Sequence, residues 1–360
     1  MKKISFKKKE KTVKSKVVTQ GNLEESRAEI LAKGKKFKYP FQYAKHRLVI
    51  NTIAIGLVAF ICFVVVGWVE LYKVQSTSEV TFRFTKVLPV YVAKIDGVKV
   101  RYSDYLMLYR SSVNSVEYQQ GEFDDSQESE LQKYYYRRQA MNSAEEYSYA
   151  LDKIEEAGKG VTEEEIDAVV NDHRMINGEE RSEEAFRGIV RDNFGLSMSE
   201  YRHLIKLSLA KKKYSELFDE TANKEVEKIK KALEENQNDF DKVMEAYSKS
   251  EIVSLETVKS VDINNLDAGR AITASKLKEA GNVSSFFTSK NGDGYYIVKL
   301  LSKGDDRVSY QSIFVRFTEF DKMISKIREE DKVKEYIKLK EPDSGETEAI
   351  ETEEAEESEE

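Results

Sequence analysis

Apolar residues recur along this chain with three different rhythms. From Leu48 to Val69 they are continuous: LVINTIAIGLVAFICFVVVGWV contains no charged side chain. At ~1.5 Å rise per residue, a helix of this length covers the ~30 Å of a bilayer's hydrocarbon, so the stretch predicts one membrane-spanning helix. Further on, apolar positions recur every three or four residues, the period of amphipathic helices. In shorter segments they alternate with polar ones, the period of half-buried strands.

The alternating segments are Tyr91 to Val100, with a turn at Asp96-Gly97, then SEIVSLETVKSVDI from Ser250, GNVSSFFTSKNGDGYYIVKLL from Gly281, and VSYQSIFVRF from Val308. The third of these reads as strand, Gly-rich hairpin, strand. Among the helices, Ser103 is placed to cap SDYLMLYRSSVNSV. EFDDSQESE, residues 122–130, reads as a loop, and the helix after it stops at Gly158. Thr162 and Glu165 form a capping box ahead of Ile166, Val169, Val170 and His173, and Ser197 and Glu200 form another ahead of YRHLIKLSLAKKKYSELF. Between them Phe186, Ile189, Val190 and Phe194 make an apolar stripe. KEVEKIKKALEENQNDFDKVMEAYS, from Lys224, reads as one or two helices broken near Asn238. A short helix is expected around Ala274 to Ala280, and an amphipathic one from Glu319 to about Leu339. Residues 73–90 read as a polar, β-leaning connector. Helices mixed with short strands make the external part α+β.

Charge then orients the chain. Residues 1–47 carry 13 Lys and 2 Arg against 4 Glu, a net of +11, and residues 341–360 carry 11 acidic and no basic side chains, a net of -11; the overall -7 conceals both. Lys45, His46 and Arg47 abut the span, whereas Glu70 and Lys73 beyond it nearly cancel. The positive-inside rule therefore expects a cytoplasmic N-terminus, a plasma-membrane location and residues from 73 onward outside, with Trp68 and Tyr72 in the interfacial belt. A cleavable secretory signal is the competing reading, but it needs a shorter apolar region and a small-residue cleavage site that GWVELYKV does not offer. The basic leader reads as an orientation signal against anionic lipid rather than a nucleic-acid arm. The acidic tail is too polar to order itself. Cys62, the only cysteine, lies in the span, so no disulfide supports the external part.

Two sets of residues resemble the SurA, PpiD and PrsA group of extracytoplasmic bacterial folding factors, in which a helical chaperone domain carries a parvulin-type peptidyl-prolyl isomerase domain. VAKIDGVKVRYSDYLMLYR is similar to the group's opening strand and helix, and VTEEEIDAVV and EEAFRGIVRDNFGLSMSEYRHLIKLSLAKKK to its central helices. FDKVMEAYS and LKEAGNVSSFFTSKNGDGYYIVKLL resemble the parvulin helix and hairpin. The family's first strand, H-I-L-V, is absent ahead of Lys224. Its nearest counterpart is SIFV, residues 312–315, which is either a first strand moved to the end or an extra one. The family's two histidine positions then hold Tyr296 and Ser312, and no histidine follows His203.

Hydropathy, charge and periodicity divide the chain into a basic cytoplasmic tail (1–47), a transmembrane helix (48–70), a connector (71–90), a C-terminal helix (319–340) and a disordered acidic tail (341–360), and the resemblance implies a SurA N-terminal-like chaperone domain (91–223) and a degenerate parvulin-like domain (224–318) between them. It implies binding of unfolded or nascent secreted polypeptides, with the translocation machinery as a candidate neighbour. Candidate contacts are Tyr105, Met107, Tyr109, Phe286, Phe287 and Tyr295, because apolar burial is indifferent to client sequence; ordinary core packing is the rival assignment for each. No catalytic residue is expected while Tyr296 and Ser312 replace the histidines. No nucleic-acid partner, cofactor or metal is expected either: the chain has no phosphate-binding Gly-rich loop, no nucleophile paired with a base and no H-E-x-x-H, and His173 and His203 lack a second ligand at metal spacing. Two further readings stay open, a working isomerase using Tyr and Ser, and a non-catalytic envelope-assembly scaffold.

Overall fold

A computed structural model describes residues 20–176 and 178–342. The start of the basic leader and the acidic tail from 343 onward lie outside the described residues. The chain divides into two compact units, Met1–Leu71 and Tyr72–Glu360.

Within the first unit a single helix, α1 (Gln20–Val69), contains the uncharged stretch. With the π-helical turn Glu70–Val74 that continues it, the stretch from Arg47 to Val74 is long and apolar enough to cross a membrane. Phe60, Ile61, Phe63 and Val66 all leave more than half of their surface uncovered.

The second unit opens with α2 (Glu79–Val87), where the sequence suggests an extended connector. Its β-branched residues favour strands, but Ser78 caps the helix by accepting from Thr81 N–H at 3.2 Å, and Phe82 and Thr85 are buried. β1 (Tyr91–Ile95) and β2 (Val98–Arg101) follow as a hairpin closed by Asp96 and Gly97 at φ of 42° and 93°, the type I′ geometry that Asp-Gly favours.

α3 (Tyr102–Gln120) leaves β2 without a linker, so Ser103 is not its cap. Arg101 holds that position without a side-chain bond, and Ser103 is buried one residue inside the helix. α4 (Gln127–Glu156) is capped by Ser126, which shortens the expected loop to its first half. α5 (Glu163–Arg174) and α7 (Met198–Phe218) carry the two capping boxes as the sequence indicates. Between them lie a minimal hairpin of β3 (Met175–Ile176) and β4 (Glu179–Glu180), and α6 (Glu183–Phe194).

α8 (Glu220–Glu235) and α9 (Phe240–Glu245) are separated by Gln237 and Asn238 at positive φ, which is the expected break. After β5 (Val253–Asp262) comes α10 (Arg270–Ser275), a few residues earlier than the sequence suggests. β6 (Phe287–Thr288), β7 (Gly294–Lys303) and β8 (Arg307–Arg316) complete an antiparallel sheet in the order β5-β8-β7-β6. β8, last in sequence, is therefore an inner strand. One face of this sheet buries Ile297, Ile313 and Val315 beneath Ile229 and Phe240 of α8 and α9. The other buries Val298, Leu300 and Tyr310 beneath Ala271 and Ala274 of α10.

The amphipathic pattern past Glu319 suggests one long helix, but α11 (Glu319–Glu329) is shorter. Asp331 turns to φ 54°, and β9 (Val333–Glu335) pairs with β1, giving a second sheet of order β2-β1-β9. Strand pairing outcompetes helix here because β1 offers an otherwise open edge.

This return covers Glu145 of α4, whose side chain is 1% exposed. Arg328 of α11 approaches its Oε2 at 3.4 Å, and Oε1 has no hydrogen-bond partner among the described residues. Arg138 pairs with Glu335 of β9 at 2.5 Å. Burial first, and the neighbouring Glu335 second, push the Glu145 carboxyl up from 4.5 to about 7. An acid with a raised folded-state pKa holds its proton in the native chain after the unfolded chain has released it, so stability falls as pH rises from about 4.5 through 7. In nanodiscs the thermal midpoint of this unit is expected to drop between pH 5 and pH 8, at a cost of at most about 3 kcal/mol. Glu145→Gln should flatten that dependence, as a pH series of melting curves will show.

Candidate functional site

The residues singled out in the sequence separate into three places. Tyr105, Met107 and Tyr109 are no more than 5% exposed on α3. Tyr105 meets Tyr102 edge to face at 5.7 Å, and Arg137 lies 5.5 Å over the Tyr109 ring. Burial is the main cause raising the Tyr105 phenol well above its ordinary pKa. These three side chains build the helical core, which speaks against Tyr105 and Tyr109 as contacts; Met107, equally buried, lies at the floor of a separate cleft of about 230 Å³ bordered by Phe82 and His203.

Phe286, Phe287 and Tyr295 do come together. With Val226 and Lys230 of α8 and Thr288 of β6 they line an open cleft of about 350 Å³ beside the edge of the sheet. Tyr295 is anchored rather than loose: its hydroxyl donates to Asn223 Oδ1 at 2.9 Å, and its ring meets Phe317 edge to face at 4.8 Å. Burial, assisted by the charges of Glu216 and Asp219, pushes its phenol up to about 12. The cleft thus has an apolar wall held by a polar tether, and Phe286 and Phe287 are only partly covered. Such a surface can accept an apolar side chain.

Tyr296 and Ser312 lie on the opposite face of the sheet, the α10 side. Tyr296 stacks on Phe314 at 4.6 Å, and Ser312 is fully buried. A Cβ on Gly294 would collide with the Val315 carbonyl and the Phe314 ring, so glycine is what permits this close start to β7. No sequence pattern points to Arg270, which joins the two positions. Its guanidinium lies 5.1 Å from the Tyr296 ring centre and 5.8 Å from that of Tyr310, and Nη1 donates to Ser312 Oγ at 3.4 Å. Glu256 pairs with the same nitrogen. Asp267 accepts from the Tyr310 hydroxyl and from Ala271 N–H at 3.0 Å, which seats α10.

This face carries a guanidinium that keeps its charge at any physiological pH. Tyr296 and Tyr310 are both shifted upward, chiefly by burial, away from the neutral range in which an acid–base group works. Asp267 and Arg270 come from NNLDAGRA, a loop with no periodicity to reveal what it carries.

The two histidines likewise have protein partners. His173 Nδ1 lies 2.7 Å from Tyr201 Oη, and His203 Nε2 lies 3.0 Å from Asp104 Oδ1. A larger, more polar cleft of about 420 Å³, bordered by Lys211, Lys212, Arg316 and Phe320, receives none of the residues chosen from sequence.

Arg270→Ala should destabilise this unit by about 2 kcal/mol, since it strands a buried hydroxyl and a carboxylate and removes two ring contacts. Arg270→Lys keeps the charge without the planar fork and should recover only part of the loss in denaturation experiments.

Residues 41–215, just under half of the chain, match the family of SurA-like N-terminal domains. The match runs from the basic flank of the span through most of α7 and supports a chaperone domain of that type. No curated protein matches the chain.

Proposed function

We propose that the chain is a membrane-anchored chaperone that binds unfolded or newly translocated polypeptides outside the plasma membrane and does not isomerise prolines. The match of residues 41–215 to SurA-like domains carries this reading. The span would lie at about residues 48–70, the chaperone domain at 91–223 and a degenerate parvulin-like module at 224–318. The inner position of β8 supports the last assignment: a supernumerary strand added to a complete sheet would be expected on its edge, whereas SIFV is bonded to β5 on one side and β7 on the other. It therefore fits better as a first strand moved to the end of the module.

Absence of catalysis is argued from the α10 face. The barrier to rotation about a peptide bond is ~18–20 kcal/mol, and a catalyst must favour the twisted imide over the planar one. Tyr296, Phe314 and Arg270 pack on one another where a substrate proline would need to enter, and they leave Ser312 covered. Binding is argued from the cleft that Phe286 and Tyr295 border on the α8 side, where the partly covered Phe286 ring can contribute about 1.5–3 kcal/mol of apolar burial to a client of varied sequence; the Phe287 ring packs toward Tyr296 on the other face.

The full chain in nanodiscs should suppress aggregation of a chemically denatured model protein, and Phe286→Ala with Phe287→Ala should weaken that protection. In a protease-coupled proline assay it should leave the spontaneous rate unchanged. Acceleration that disappears in Tyr296→Phe would overturn the non-catalytic reading in favour of a working isomerase. One dominant crosslinked adduct in intact cells would favour the dedicated assembly scaffold.

Topology is tested separately. A reporter fused after Glu360 should be active only when folded outside the cytoplasm; activity confined to the cytosol removes both the anchor orientation and access to translocated clients.

A further inference from the structure

β6 is an edge strand, bonded only to β7. Ser289 N–H donates to Gly294 O at 2.9 Å, and the register pairs Phe287 with Tyr296 and Thr288 with Tyr295. Antiparallel alternation then turns the N–H and C=O of Phe287 toward β7 and those of Thr288 away from it. Phe286 N–H, one residue earlier, likewise finds no acceptor among the described residues. Main-chain groups that face outward in this way are complementary to one kind of occupant, another extended backbone.

The cleft opens along this same edge. Thr288 and Tyr295, being cross-strand partners, present their side chains on the face that α8 covers, where Val226 and Phe286 also line the space. An added strand would send every second side chain, about 7 Å apart, into that space. Its rim charges are satisfied by each other, since Lys230 and Glu227 pair at 2.6 Å. The cleft therefore selects neither acidic nor basic segments.

We propose that clients dock here by strand addition: an extended, uncharged segment with alternating apolar residues pairs with the main chain at Thr288 and lowers those residues between Phe286, Tyr295 and Val226. This rests on the polypeptide-binding reading above and specifies its mode. Main-chain pairing is independent of client sequence, which suits a chaperone. A second copy of this chain fits poorly, because an edge of only two residues offers far less contact than the roughly 800 Å² per partner that a stable dimer buries.

The test uses the full chain in nanodiscs and a fluorescent eight-residue peptide of alternating Val and Thr. Two further peptides carry N-methyl groups on alternate amides, one on the odd and one on the even residues. Strand addition uses one edge of the peptide, so one methylated form should bind at least roughly tenfold more weakly than the other. Thr288→Pro, at a position where the lost N–H faces outward, should weaken the unmodified peptide to a similar degree. Equal affinity of the two methylated peptides overturns strand addition, whether both are strong or both weak. Concentration-dependent self-association that blocks the peptide also overturns it, in favour of a second copy. If the denatured protein is still protected in those cases, the chaperone reading survives alone; if nothing is bound or protected, both fail.

Discussion

Two carboxylates hold the second unit together by exchanging helix ends. Asp219 is 1% exposed at the junction of α7 and α8. It accepts from Ala222 N–H at 2.8 Å, capping its own helix, and from Thr318 and Glu319 N–H at 2.6 and 3.0 Å, at the start of α11. Glu319 returns the contact to Glu220 and Thr221 N–H, each at 3.0 Å. Each acid thereby satisfies orphan donors of a helix about a hundred residues away and places negative charge at a positive helix end. The sheet module is inserted between these two points, so its position relative to α7 and α11 is fixed at its base. That is why Tyr295 can reach Asn223, and why the cleft beside β6 has a defined wall.

Much of this architecture is written locally. The long apolar helix, the two capping boxes and the break between α8 and α9 each follow from a few adjacent residues, and the structure has them where the pattern puts them. α2 was hidden because VTFRFTKV looks like strand until one sees Phe82 and Thr85 buried and Ser78 free to cap. β9 was hidden for another reason: three residues carry no periodicity, and their conformation is decided by an edge more than two hundred residues earlier.

The site was legible to the same degree. Of the hairpin aromatics, Phe286 and Tyr295 share the α8-side surface and Phe287 turns to the Tyr296 side, because the register set by the Gly-rich turn alternates the faces. Tyr105, Met107 and Tyr109 look identical in composition but sit on a helix packed on several sides, and side-chain type alone cannot distinguish a buried aromatic from a presented one. Arg270 and Asp267 act through a sheet face assembled from distant strands, so no local pattern identifies them.

The pairing of Ala93 with Glu335 also sets a clock. In a chain delivered N-terminus first, the hairpin of β1 and β2 emerges early and must wait for nearly the whole of the remaining polypeptide before its open edge is sealed. Val253 waits likewise for Val315. Such distant partners make closure slow relative to helix formation, so the protein itself passes through a period in which two of its strand edges stand bare.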